Sequence, residues 1–495
     1  MSEQWPKFPP ELETHLREVE NVWWSGFPDR PTPVLKRGIF PVVLRKLKTG
    51  NPAIVAMRGP RQVGKSTLQE QVIHHLLKVE KVEPNRILRV QFDRIEKIMP
   101  PSPPILALSR WFERSVLGKT LNQAAHDKKP AYLFFDEVQN LEEWAPELKS
   151  LVDHHSVRVM ITGSSALRIK EGQDSLAGRI TTVEMGPLHL AEIAAWREAE
   201  ELPVMMPSNG LGRLKEFEFW CELKKLGQDN RLLRDFVFNI YSERGGYPVA
   251  HVGNIPWNDL ANQIQETVIQ RAIIHDFKAG KKAKKRDRLL MQEVFRLACR
   301  YAGQTPGEPV MVQQVSRALG KTGWRQILNY LELLDDMLLV KLIDPLELRL
   351  KKNVGYDKIC LCDPMLRASW LREAVPLDDQ ALSESPAATD LAGHMAESVA
   401  GYYLASIFGI SLFHFPKRAT EPEVDFVLIV GDQRIPIEVK YQSSLNENDT
   451  AGLRAFIEKT AYNALFGILV TRHEKFQSRD PRIVTLPLST LLMLN

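Results

Sequence analysis

The chain has 495 residues, 44% hydrophobic and 25% charged, an ordinary globular composition, and a net charge of +4 that singles out no partner. Four cysteines without a CxxC pair exclude a disulfide framework and a structural zinc site. No apolar run reaches the roughly 18 residues that span a bilayer. The N-terminus "MSEQWPKFPPELETHL" is acidic and lacks the apolar core of a signal peptide, so a soluble, cytoplasmic protein without a membrane partner is expected. At roughly 100–200 residues per domain, several domains are expected.

Residues 1–38, rich in Pro and Trp, are expected to wrap the domain that follows. Residues 39–190 alternate short apolar strands with amphipathic segments, the α/β pattern of a mostly parallel sheet. An apolar strand, Ala53 to Met57, runs into Gly59, Pro60, Arg61, Gln62, Val63, Gly64, Lys65 and Ser66, then Thr67 and a helix. This is GxxxxGK[ST] in its expected context. Glycines let backbone N–H groups close around phosphate oxygens, and the new helix points its positive end at the same anion. Lys65 is expected to reach the β and γ phosphates of ATP, and Ser66 to ligate Mg²⁺. A second apolar strand ends in Asp136-Glu137, where Asp136 is expected on the Mg²⁺ side and Glu137 on the attacking water. A third strand ends in Thr162-Gly163-Ser164-Ser165. In AAA+ ATPases that strand carries a polar sensor, which makes Ser164 a candidate. Arg179, after Gly178, is a candidate arginine finger for its own or a neighbouring subunit. Action between subunits implies a homo-oligomer, a hexameric ring.

Residues 191–275 turn helical, as expected of a helical lid. Residues 276–373 begin with the basic run "KAGKKAKKRDR", which contains Lys282 and Lys285. Two helices, Val312 to Leu319 and Gly323 to Met337, with a short turn between them, fit a helix-turn-helix. A following wing would carry Arg349, Lys351 and Lys352. Lys321, Trp324 and Arg325 sit where a recognition helix meets DNA. Residues 374–390 have linker composition, and residues 391–495 alternate helix and strand again. There "VDFVLIV" and "IPIEVK" flank "GDQR" as a hairpin, with Asp425 on one strand and Glu438 and Lys440 on one face of the other.

The ordered set "RGPRQVGKST", "FFDEVQN", "ITGSSALRI", "SLAGR", "RGGYP", "EVDFVL" and "IEVK", over residues 36 to 445, resembles bacterial and archaeal AAA+-type ATPases with a C-terminal PD-(D/E)XK nuclease-like domain. The resemblance implies a multidomain α/β protein: a P-loop AAA+ core with a helical lid, a winged-helix segment and a nuclease-like end. Cleavage of phosphodiesters by that fold needs carboxylates on Mg²⁺ and an amine near the water. Asp425, Glu438 and, from the preceding helix, Glu397 are the implied ligands, and Lys440 the implied catalytic amine. The expected function is ATP-driven remodelling of, or movement on, DNA, branched DNA included, with a C-terminal domain that recognises or cuts it. The alternative is an ATP-binding switch whose inactive nuclease-like domain docks protein partners.

Overall fold

The computed structural model describes residues 8–26, 31–163, 174–197, 200–206, 213–276, 288–347, 355–417 and 423–495. The chain divides into two compact bodies, Met1–Met185 and Gly186–Asn495. No helix among the described residues is long and apolar enough to cross a membrane.

The first body is built on five strands: β1 (Ile54–Arg58), β2 (Ile87–Gln91), β3 (Tyr132–Asp136), β4 (Arg158–Gly163) and β5 (Ile180–Glu184). They pair in the order β2-β3-β4-β1-β5, all parallel. Parallel strands covered on both faces read as continuous apolar runs rather than as alternation. "IVAMR", "ILRVQ" and "YLFFD" are buried at every position. The order places β4 between β1 and β3, and all five carboxyl ends share one edge of the sheet. The N-terminal segment lies along the outermost strand. Leu12 and Leu16 enter the core, the Asn21 side chain bonds both the N–H and the C=O of Arg89, and Trp24 donates to the Ile87 carbonyl.

The second body holds helices followed by two sheets. Helices Arg288–Arg300, Glu308–Leu319 and Trp324–Asp336 pack together ahead of an antiparallel ladder of β6 (Val340–Ile343) and β7 (Lys358–Leu361). The C-terminal sheet contains β8 (Ser411–Phe415), β9 (Val424–Val430), β10 (Gln433–Lys440), β11 (Gly467–Thr471) and β12 (Ile483–Pro487). Its order is β12-β11-β10-β9-β8; β8, β9 and β10 are antiparallel, and β10, β11 and β12 parallel. The helix Thr389–Ala405 passes so close to β7 and β9 that a Cβ on Gly401 would lie 2.5 Å from Cys360 Sγ and 2.7 Å from the Phe426 ring. Only glycine permits that approach.

Two segments differ from the sequence expectation. Helices Phe217–Asp229 and Arg231–Arg244, expected in a lid of the ATPase core, pack instead on the C-terminal elements. The buried guanidinium of Arg234 donates to Thr490 and Glu474, each at 2.7 Å, and a Cβ on Gly227 would meet Thr490. Residues 374–390 are not a free linker. Val375, Leu377 and Leu382 are buried among their neighbours, and Asp378 caps the helix Asp379–Glu384.

The "RGGYP" stretch makes a docking turn. The carboxylate of Asp363 accepts the Gly246 N–H at 2.6 Å and the Met365 N–H at 2.8 Å, and burial pushes its pKa up to about 7. Beside it, His251 Nε2 donates to the Gly245 carbonyl at 2.9 Å while Nδ1 accepts from Arg197 at 3.4 Å. That arrangement suits the neutral ring. Burial, with Arg197 and Arg244 nearby, pushes the His251 pKa down to about 4. The unfolded ring takes its proton near pH 6.5, so the neutral ring's contribution is complete above that pH and is lost as the pH falls towards 4. Thermal unfolding should therefore show the Tm of the wild type falling more steeply, or rising less, between pH 6.5 and 4 than that of His251→Gln, since the raised pKa of Asp363 acts in the opposite sense but is common to both. An identical slope in the variant would refute this.

Candidate functional site

At the shared carboxyl edge of the first sheet, β1 ends at Arg58 and the chain turns through Gly59–Gly64 into the helix Lys65–Lys78. Gln62 and Gly64 hold positive φ, 66° and 96°, a left-handed curl of the kind that gathers main-chain N–H groups on one side. A Cβ on Gly59 would lie 2.2 Å from the Met185 carbonyl oxygen. Lys65 is buried, its Nζ donating to the carbonyls of Gly59 (2.9 Å) and Pro60 (2.8 Å). Ser66 and Thr67 occupy the first helical turn, where N–H groups lack intrahelical partners and the helix dipole is positive.

Two strands away, Asp136 closes β3 in full burial. Its Oδ2 accepts from Gln91 at 2.9 Å and lies 3.7 Å from the Arg89 guanidinium, while its Oδ1 accepts the Thr162 hydroxyl. Glu137 follows in a left-handed conformation and accepts from the Gln139 amide. Burial, then repulsion from Asp136 and Glu137, raises the pKa of nearby Asp93. The structure thus brings the P-loop, Asp136 and Glu137 to one edge, and adds Arg89, Gln91 and Asp93, which sequence reasoning missed. Their signal was the polar end of the β2 run "ILRVQFD" at that same edge. Ser164 lies outside the described residues; Thr162, from the same cluster, is the hydroxyl that meets Asp136.

Arg179 is elsewhere. It immediately precedes β5, and its carbonyl accepts the N–H of Ile54 at the start of β1. The register aligns Ile54 with Ile180 and Arg58 with Glu184. By ordinary strand rise Arg179, five residues before Glu184, lies about 17 Å below the P-loop edge. Its guanidinium forks onto Asp153 (Nε to Oδ1 2.5 Å, NH2 to Oδ2 3.1 Å) on the surface. The expectation that it serves its own subunit's nucleotide is corrected by this placement at the opposite edge.

In the second body, Lys321 and Arg325 are exposed, and Trp324 opens the second helix of the pair, edge-on to Tyr356 at 5.6 Å. Lys282, Lys285 and the wing residues 349, 351 and 352 lie outside the described residues. The hairpin residues do converge. Asp425 and Glu438 are buried across the β9–β10 ladder, with Glu397 beside them on the helix Thr389–Ala405. Lys440 Nζ lies 2.5 Å from Glu438 Oε1. Burial and then Asp425 push the Glu438 pKa up to about 8. The cation at the centre, however, is Lys358 from β7, whose Nζ lies 2.7 Å from both Glu397 Oε2 and Asp425 Oδ1. Burial opposes its charge, yet the two carboxylates raise its pKa well above the usual lysine range.

The two expected Mg²⁺ sites therefore fare differently. At the P-loop, the hydroxyl of Ser66 and the carboxylate of Asp136 are oxygen donors at one sheet edge, and Asp136 is met at hydrogen-bond distance by the neutral Gln91 and Thr162 rather than by an ammonium, a donor set that fits Mg²⁺. At the hairpin, the expected ligands Glu397, Asp425 and Glu438 do not fit it, because a buried ammonium already engages two of them. Among the described residues no group of three His, Cys, Asp or Glu side chains is placed to hold a metal.

The class of the first body follows from the strand order and the loop. Residues 51–194 match the AAA domain, so the chain carries an AAA-type P-loop ATPase domain. Residues 237–375 and 392–491 match two domains of unknown function, DUF8612 and DUF4143. Among known proteins, the uncharacterized protein MJ1637 of Methanocaldococcus jannaschii is 25% identical over 406 residues, 78% of this chain and 75% of that one. Among solved structures, the Walker-type ATPase PABY2304 of Pyrococcus abyssi is similar over 70% of this chain and 99% of its own, at 13% identity and a TM-score of 0.40. The S. cerevisiae Hsp104:casein complex is similar over 58% of this chain and 49% of its own, at 12% identity and a TM-score of 0.27.

Arg89 also lies 3.0 Å from Glu70 and 3.9 Å from the buried Glu20. Removing one partner of a buried ion pair strands the other. Arg89→Met should cost about 3–5 kcal/mol in chemical denaturation; a loss below about 1 kcal/mol would contradict the network.

Proposed function

We propose that the ATPase domain drives a DNA-directed activity: hydrolysis of ATP coupled to binding and remodelling of DNA, branched DNA included, with the C-terminal domain recognising rather than cutting it. The convergence of the P-loop, Asp136, Glu137 and Thr162 on one sheet edge carries the hydrolytic part. In this reading the cradle from Gly59 to Thr67 receives the phosphates and Lys65 turns from the loop carbonyls to the β and γ oxygens. Ser66 and Asp136 would hold Mg²⁺, whose charge would offset that developing on the phosphates. Glu137 orients and deprotonates the attacking water, and Thr162, with Ser164 nearby in sequence, reports on the γ-phosphate.

The DNA part is supported by the helix pair Glu308–Leu319 and Trp324–Asp336, followed by an antiparallel two-stranded ladder, an order shared with winged helices. Exposed Lys321 and Arg325 at the start of the second helix suit phosphate contacts. The strand arrangement of the C-terminal domain, a hairpin feeding two parallel strands, supports a nuclease-like ancestry. The lysine in its acidic centre favours the non-cutting version. Arg179, on the surface and remote from its own P-loop edge, would reach a neighbour's nucleotide in a ring by exchanging its Asp153 partner for the phosphate.

In an ATPase assay against linear, forked and four-way DNA, the protein should hydrolyse ATP faster with DNA present. Lys65→Ala should lose nucleotide binding and turnover, while Glu137→Gln should bind ATP yet turn over about 10²–10⁴-fold more slowly. Lys321→Ala/Arg325→Ala should weaken binding to all sequences and shallow the salt dependence. Equal hydrolysis with and without every DNA would defeat the DNA reading and leave the ATPase intact. Sedimentation in ATP should show an oligomer, with Arg179→Ala impairing turnover within it; a monomer under those conditions removes the role of Arg179.

A further inference from the structure

The carboxylate centre around Asp425 has the acids of a metal site but is closed by another part of the chain. Lys358 is 1% exposed, and its Nζ makes two short contacts, 2.7 Å to Glu397 and 2.7 Å to Asp425. The Phe426 ring, 4.9 Å from Nζ to the centroid, offers the ammonium its π-face. The other carboxylate oxygens of the hairpin are also engaged. Asp425 Oδ2 accepts the Val439 N–H at 2.9 Å, Glu438 Oε2 accepts the Asp425 N–H at 3.3 Å, and Glu438 Oε1 faces Lys440. A magnesium ion demands a near-octahedral shell of oxygens at about 2.0–2.1 Å. These acids are arranged instead at the spacing of ammonium hydrogen bonds.

Nor is Lys358 a loose side chain that happened to fall there. Its strand is held on both flanks: Ile359 accepts the Gly303 N–H at 2.7 Å and donates to Gln304 at 3.0 Å, while the Leu361 N–H donates to Ser398 Oγ at 2.8 Å. Ser398 is the neighbour of Glu397 on the same helix. The backbone that carries the ammonium is thus fixed against that helix and against its partner β6.

We infer that Lys358 is the resident cation of this centre in place of a divalent metal, so that the C-terminal domain is closed onto the β6–β7 ladder by a metal-independent ion cluster and cleaves no phosphodiester bond. The site keeps the acids of a metal centre, and removing the lysine should turn it into one.

The test uses the full chain without nucleotide, with Mn²⁺ as the probe. In the wild type, Mn²⁺ binding followed by paramagnetic resonance should be the same with and without Asp425→Asn. Lys358→Met should lower Tm by several degrees and gain a Mn²⁺-dependent recovery that is abolished by adding Asp425→Asn. A wild-type Mn²⁺ site, or a wild-type Mg²⁺-dependent nicking activity, that disappears in Asp425→Asn would overturn the inference. So would a folded Lys358→Met protein that takes up no Mn²⁺ at Asp425. If Lys358→Met fails to fold, the wild type against Asp425→Asn decides alone. DNA-stimulated ATPase is read separately, so its absence leaves this inference standing.

Discussion

A carboxylate withdrawn from water must be met by a cation or by donors, or it takes up a proton instead. Both bodies are organised around that constraint. In the first, fully buried Asp136 is met by Gln91, Thr162 and, slightly further off, Arg89. Those partners come from β2 and β4, the strands on either side of β3, so the strand order itself supplies the solvation that the acid loses. In the second, Asp425 is met by Lys358 and by the Val439 N–H. One acid remains beside a phosphate cradle where oxygen donors are useful; the other is neutralised by its own chain. The same chemical demand thus ends in a reactive edge in one case and a sealed interior in the other.

Local features were legible in the sequence because their physics is local. The P-loop is a contiguous string in which glycine spacing, the lysine and the helix start all act within a dozen residues. The convergence of Glu438 with Lys440 follows from the strand period, since i and i+2 share a face, and Asp425 follows from the hairpin that opposes them. The apolar runs of β1 and β3 announced a buried parallel sheet for the same reason.

What was not legible depends on which strand lies beside which. Lys358 is 39 residues from Glu397 and 67 from Asp425, and nothing in "YDKICLC" distinguishes a surface lysine from a buried one. Arg179 follows a glycine in a turn, as a finger residue should, but only the register shows that the turn is at the wrong edge for its own nucleotide. The polar composition of residues 374–390 suggested a tether, whereas Leu377 and Leu382 are enough to anchor it. Helices Phe217–Asp229 and Arg231–Arg244 carry ordinary amphipathic faces, and such a face does not say which neighbour it will cover.

The N-terminal segment along β2 has a consequence for the solution behaviour of the whole molecule. A parallel sheet ends in a row of unsatisfied main-chain groups that another molecule can extend. Here the amide of Asn21 answers both groups of Arg89, donating to the carbonyl at 3.0 Å and accepting the N–H at 2.7 Å, and the Trp24 indole takes the carbonyl of Ile87. A side-chain amide imitates one rung of a ladder but offers no next rung. The sheet therefore has a terminator rather than an open end, and intermolecular zippering through this flank is blocked.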